Sequence, residues 1–204
     1  MAAQLARYTG LDIDYILGSR LRVPLRRFSA ELLRERQRVV GRLDSRLIGP
    51  TTDSRAADMR SDPSYAAILG PYTATLNDYL SRELEYESDL PYEILTSRVH
   101  PWSFEPFEGR FVYVADRLRD AMLQNQDLKV FVGNGYYDLA TPYFATEHTF
   151  DHLGLDESLW RNVTMAYYES GHMMYIHEAS LAKMRDDLVG FYAEAVSRGE
   201  DDVE

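Results

Sequence analysis

"LKVFVGNGYYDLATP" runs from Leu128 to Pro142. It opens on a short apolar run, turns on Gly133 and Gly135, and reaches a lone carboxylate at Asp138 just before Thr141 and Pro142. An apolar, partly β-branched run bounded by glycines reads as a strand over Leu128 to Gly135. Thr-Pro is a helix-start signal, so "TPYFATEHTFDHLGL" (Thr141 to Leu155) reads as a helix closing at Gly154. "NVTMAYYES" (Asn162 to Ser170) is a second strand, and "GHMMY" (Gly171 to Tyr175) follows it with His172. Upstream, "FVYVADRLRDAMLQ" (Phe111 to Gln124) reads as a helix with Val114, Leu118 and Met122 on one face. Downstream, "SLAKMRDDLVGFYAEAV" (Ser180 to Val196) reads as an amphipathic helix with Leu181, Met184, Leu188, Phe191 and Tyr192 together.

Short apolar strands alternating with helices imply a parallel sheet, the α/β class. Two strands alone do not make a sheet covered on both faces. Residues 108–198 therefore read as the C-terminal part of an α/β domain whose other strands lie elsewhere. Residues 1–107 read as a mostly helical region, and 199–204 as an acidic, solvated tail. Within the first region, "SAELLRERQRVV" (Ser29 to Val40) presents a serine N-cap and helical spacing. "PSYAAILGPYTATLNDYLSREL" (Pro63 to Leu84) is a second helix that Pro71 is expected to break or kink. "GPTTDSRAADMRSDP" (Gly49 to Pro63) and "HPWSFEPFEG" (His100 to Gly109) read as loops.

Composition narrows the function classes. The 204 residues are 45% apolar and 27% charged, ordinary for a globular protein of one domain or one domain with a small attachment. No run of about eighteen apolar residues offers a membrane span. The first twenty residues lack the apolar centre of a signal peptide. The absence of cysteine excludes disulfides, thiolate nucleophiles and cysteine-ligated zinc. A net charge of -11 argues against nucleic-acid binding, which needs a basic surface. The arginine-rich stretch from Arg20 to Arg46 reads as a solvated or internally paired face.

Asp138 and His172 each stand just past the carboxyl end of a strand, where functional groups gather in open parallel sheets. Adjacent strands are about 4.8 Å apart, so the two side chains can meet. A carboxylate and an imidazole there match the supporting members of a Ser-His-Asp triad, in the order acid then base of an α/β-hydrolase. On pattern alone, an Asp in this place also serves as a turn former or helix cap, and a histidine as a structural group.

"VGNGYYDLATPYFATEHTFDHLGL" followed by "AYYESGHMMYIHEASLAKMRDDLVGF" resembles the C-terminal part of the serine carboxypeptidase family in its bacterial branch. "YTGLDIDYI", "LRVPLRRFSAELLRE" and "VGRLDSRLIG" resemble the helical insertion that caps that family's hydrolase core. The resemblance spans roughly Leu5 to Phe191. It implies an α/β-hydrolase fold with 1–107 as cap or lid. Asp138, with Pro142 after it, becomes the triad acid, and His172, in Gly171-His172-Met173, the triad base. Met173 becomes a lining residue of the substrate pocket. Many members carry an acid just after the strand glycine, where this chain has Asn134 and Gly135.

The family's activity is serine-type peptide hydrolysis at the C-terminus, with a peptide substrate, no cofactor and no metal, in a secreted or periplasmic setting. An acyltransferase or esterase using the same triad, or a non-catalytic interaction module, are the alternatives. The family's Gly-x-Ser-x-Gly nucleophile elbow and its oxyanion-hole loop are not found in the sequence. The chain is accordingly expected to be the C-terminal half of a longer hydrolase, inactive by itself and prone to oligomerise through uncovered strand edges.

Other histidines read as structural. His148 and His152 lie four apart on one helix, but "HTFDH" lacks the glutamate of a zincin motif. His177 falls near the start of the last helix. Tyr136 and Tyr137 read as packing or as cleft-facing aromatics.

Overall fold

The computed structural model describes residues 1–51, 62–94 and 96–197. The loop expected between Gly49 and Pro63 lies largely outside the described residues, as does the acidic tail. Helices α1 (Ala2–Thr9), α2 (Ile13–Gly18) and α3 (Leu25–Glu31) open the chain. A two-stranded antiparallel hairpin follows, β1 (Arg38–Val40) and β2 (Ile48–Pro50), with Val39 opposite Gly49. Helix α4 (Pro63–Asp78) continues as a π-helical turn over Tyr79–Glu83. Then come α5 (Ala115–Gln124), β3 (Val130–Gly135), α6 (Tyr143–Asp151), β4 (Val163–Tyr168) and α7 (Glu178–Ser197).

The second half follows the expected helix, strand, helix, strand, helix order. β3 and β4 pair in parallel, from Val130 beside Val163 to Gly135 beside Tyr168. α6 packs on β3 and α7 on β4. Met122, Phe150, Leu153, Leu159, Ala166 and Tyr168 form the buried core here. The molecule is thus a mixture of helix and strand with small sheets.

Three expected elements depart from the sequence reading, two in the first half and one at the start of the second. The helix expected from Ser29 to Val40 ends at Glu31, and Ser29 is a buried residue inside α3 rather than its cap. Arg34–Arg36 forms a 3-10 turn, and Gln37 adopts a left-handed conformation (φ 53°) that stops any helix. The β-branched pair Val39 and Val40 then enters a strand, both buried, with α3 and α4 packed on it. Pro71 does not break α4, which runs through it; Ala67, whose carbonyl loses its amide partner to the proline, is exposed to solvent. The helix expected from Phe111 begins only at Ala115, and Phe111 to Val114 are exposed. The connection after His100 contains a 3-10 turn, Glu105–Phe107.

Much apolar surface is left uncovered. Among the described residues, Phe111 is 95% exposed, Leu90 77% and Phe144 69%. On α7, Leu181 is 45% exposed and Tyr192 63%, although both belong to its apolar face.

Candidate active site

The ladder between β3 and β4 does not stop at the strand ends. The amide of Tyr136 donates to the carbonyl of Tyr168 at 3.0 Å, and that of Tyr137 to the carbonyl of Ser170 at 3.0 Å. The loops after the two strands therefore run side by side. Glycine permits the approach: a Cβ on Gly135 would lie 2.6 Å from the Ser170 carbonyl oxygen and fall on that of Gly171.

This brings Asp138 and His172 together. Nδ1 of His172 lies 2.8 Å from Oδ2 of Asp138. Since the carboxylate can only accept, Nδ1 is the donor and carries the proton. Asp138 is 5% exposed and its acceptor positions are filled. Oδ1 accepts from the amides of Ala140 (2.7 Å) and Thr141 (3.0 Å), and Oδ2 accepts from the Thr141 hydroxyl (2.6 Å) as well as from His172. The residue therefore performs both roles open to it in the sequence, turn former and histidine partner. Burial pushes its carboxyl up, but the Thr141 hydroxyl and amide, His172 and the Ala140 amide more than offset this and hold it below the ordinary carboxylate range.

The imidazole is 42% exposed, against 5% for its acid. Among the described residues, its hydrogen bonds go to Asp138 and, at 3.2 Å, to the Thr141 hydroxyl, both through Nδ1. Nε2 is left for another partner. His172 and Met173 line a cavity of about 560 Å³ whose opposite wall is α4, with Tyr65, Ile68, Leu69, Tyr72 and Leu76. Arg42 and Asp62 add charged groups to a lining that is otherwise mainly apolar. Met173 is half-buried in that wall.

The sequence reading missed the support beneath this pair. The loop of the first hairpin, between β1 and β2, grips both site loops. The Leu139 amide donates to the Arg42 carbonyl (3.0 Å), and the Ser45 amide to the Tyr137 carbonyl (2.9 Å). The His172 amide donates to the Leu43 carbonyl (2.6 Å), and the Gly171 amide to Oδ2 of Asp44 (3.1 Å). Asp44 is buried, and burial raises its carboxyl, yet the hydrogen bonds and charge of Arg46 and the Gly171 amide leave it below its ordinary value. Asp44 reads in sequence as one more charge in an arginine-rich stretch. The signal that could have marked it is its place in a tight Gly41 to Leu47 turn between two apolar pairs.

The remaining candidates stay apart. Asn134 is buried in the sheet and bonds backbone carbonyls at 3.4 Å. His148 and His152 stack at 4.0 Å on the exposed side of α6, and no cluster of three potential metal ligands occurs among the described residues. His177 accepts or donates a hydrogen bond with Ser180 at the start of α7. Tyr136 packs in an aromatic group with Tyr143 and Tyr167, and Tyr137 lies under the Arg46 guanidinium.

No protein-family model, curated protein or solved structure matches the chain significantly.

Proposed function

We propose that Asp138 and His172 are the acid and base of a Ser-His-Asp triad in a serine carboxypeptidase-like α/β-hydrolase, with 1–107 as its cap. One observation carries this reading. A buried carboxylate holds Nδ1 of a half-exposed imidazole at 2.8 Å, beyond the carboxyl ends of two adjacent parallel strands and beside an apolar cavity. The resemblance of the "GYYDLATP" and "GHMMY" stretches to that family supports the same assignment.

The chemistry follows from the geometry. With Nδ1–H fixed on Asp138, the lone pair of Nε2 is available as a base. A serine hydroxyl placed there loses its proton to Nε2 as its oxygen attacks the carbonyl of the last peptide bond. Asp138 stabilises the imidazolium that results, and the same proton then passes to the departing amine. The cavity walled by Met173 and α4 would receive a side chain of the peptide. No Gly-x-Ser-x-Gly elbow occurs in the sequence, so the serine and the oxyanion-hole donors of this triad are not assigned to residues of this chain.

The test is mass spectrometry of N-blocked peptides incubated with the full-length gene product. Stepwise loss of residues from the C-terminus is expected. Internal cleavage, or acyl transfer to an added acceptor without shortening, would contradict carboxypeptidase activity. The 204-residue chain by itself is expected to remain unlabelled by a serine-directed fluorophosphonate.

A further inference from the structure

The β1–β2 hairpin belongs to the first half of the chain, yet its loop bonds to both loops that carry the Asp–His pair. Asp44 is its centre. Oδ1 accepts from the amide and Nε of Arg46, each at 3.0 Å. Oδ2 accepts from Nη2 of Arg46 at 2.7 Å and from the Gly171 amide at 3.1 Å. The same guanidinium donates through Nη1 to the Glu169 carbonyl at 2.8 Å and lies 4.7 Å from the centre of the Tyr137 ring. Asp44 and Arg46 thus hold the backbone on either side of Ser170, from Glu169 to Gly171. The adjoining Leu43 carbonyl takes the amide of His172 itself.

A buried carboxylate costs free energy unless it is fully bonded, and here it is. Gly171 has no room for a side chain: a Cβ there would lie 2.5 Å from the Cβ of Asp44. The hairpin loop is in turn fixed to the start of α4. The Leu43 amide donates to the Ser64 hydroxyl (2.9 Å), and the Arg42 amide to the Asp62 carboxylate (3.1 Å). A continuous set of hydrogen bonds therefore connects the helix that walls the cavity to the backbone of the histidine.

We infer that Asp44, clamped by Arg46, is a positioning residue for His172: it sets the loop backbone so that the imidazole meets Asp138. The inference rests on the proposed triad but concerns a group outside it.

The test uses the 204-residue chain labelled with ¹⁵N-histidine and studied by magic-angle-spinning NMR, which accepts any oligomeric state. Five histidines give five sets of ring signals. The Nδ1–H of His172, hydrogen-bonded to carboxylate, is assigned by its loss in Asp138→Asn. In Asp44→Asn this signal is expected to be lost, while the His177 signal, set by Ser180 at 2.8 Å, stays in place. A purely structural loss would move His177 as well. Should Asp44→Asn fail to fold, Arg46→Lys decides: it keeps the charge but cannot bond both Asp44 oxygens and the Glu169 carbonyl, and a weakened signal is expected. An unchanged His172 signal in folded Asp44→Asn or Arg46→Lys overturns the positioning role and leaves the triad standing. Absence of the signal from the wild-type chain overturns the pair itself, and the inference with it. Failure of the hydrolase reading alone looks different: the signal behaves as expected, but the full-length product releases no residues.

Discussion

Replacing Gly171 by alanine adds one methyl group at the tightest point beneath the site. Its carbon would fall on the Leu43 carbonyl oxygen, 2.5 Å from Asp44 Cβ and 2.7 Å from Asp44 Cα. Carbon atoms rest about 3.5–4.0 Å apart, so the hairpin must retreat by about 1 Å. That retreat stretches two hydrogen bonds, His172 amide to Leu43 carbonyl and Gly171 amide to the Asp44 carboxylate. The first is worth about 1 kcal/mol and the second, to a charge, about 1.5–3 kcal/mol. Forced overpacking adds about 1–3 kcal/mol. The sum, about 3.5–7 kcal/mol, corresponds to a rise of roughly 10²- to 10⁵-fold in local opening at about 1.4 kcal/mol per decade. Hydrogen exchange read by mass spectrometry on peptides covering 166–176 and 38–48 reports it. Gly190→Ala is the control: nothing lies within 4 Å of its Cβ, and in α7 alanine is favoured over glycine by about 1 kcal/mol. Exchange of both site peptides within threefold of wild type in Gly171→Ala would refute the claim that the hairpin is seated on the histidine loop.

Three further outcomes follow from the same contacts. Thr141→Val removes the hydroxyl that donates to Asp138 at 2.6 Å, so the carboxyl should rise toward its ordinary value and the loop from Gly135 to Pro142 should exchange about tenfold faster or more; a ¹³C-carboxyl titration of Asp138 that does not move would contradict this. Asp44 and Asp138 are both held below the ordinary carboxylate value of about 4. The stability they contribute is present above that value and lost as pH falls through their depressed folded values. Near-UV circular dichroism of the wild-type chain should therefore show an acid transition that is smaller in Asp44→Asn, and an equal transition in both would count against it. The exposed apolar surface and open sheet edges should make the 204-residue chain self-associate in sedimentation velocity; a monomer with a sharp melt would contradict that.

What could be read from sequence depended on how local its cause was. The strands at Val130–Gly135 and Val163–Tyr168 are β-branched and aromatic runs closed by Gly135 at one end and Ser170-Gly171 at the other, so their limits are written in the residues themselves. Once two such strands alternate with helices, the meeting of Asp138 and His172 follows from parallel pairing. The hairpin was not legible. Val39 and Val40 are only two apolar residues, and their strand exists because Asp62, Ser64, Tyr137, Leu139 and Gly171 bond its loop from far along the chain. Thr141 was read as a helix start, and its hydroxyl, aimed at Asp138, carries no pattern that periodicity detects. On α7 the apolar stripe was visible, but among the described residues Leu181 and Tyr192 stay largely exposed, which periodicity alone does not foretell.

The central claim is that Asp138 orients His172 to act as the base of the proposed triad. Its most direct test is the rate of C-terminal residue release by the full-length gene product, wild type against Asp138→Asn. The substitution keeps the shape of the side chain but presents an amide to Nδ1, which favours the wrong imidazole tautomer, and a loss of about 10⁴ in kcat is predicted. A variant that folds and keeps its rate within tenfold would contradict the account.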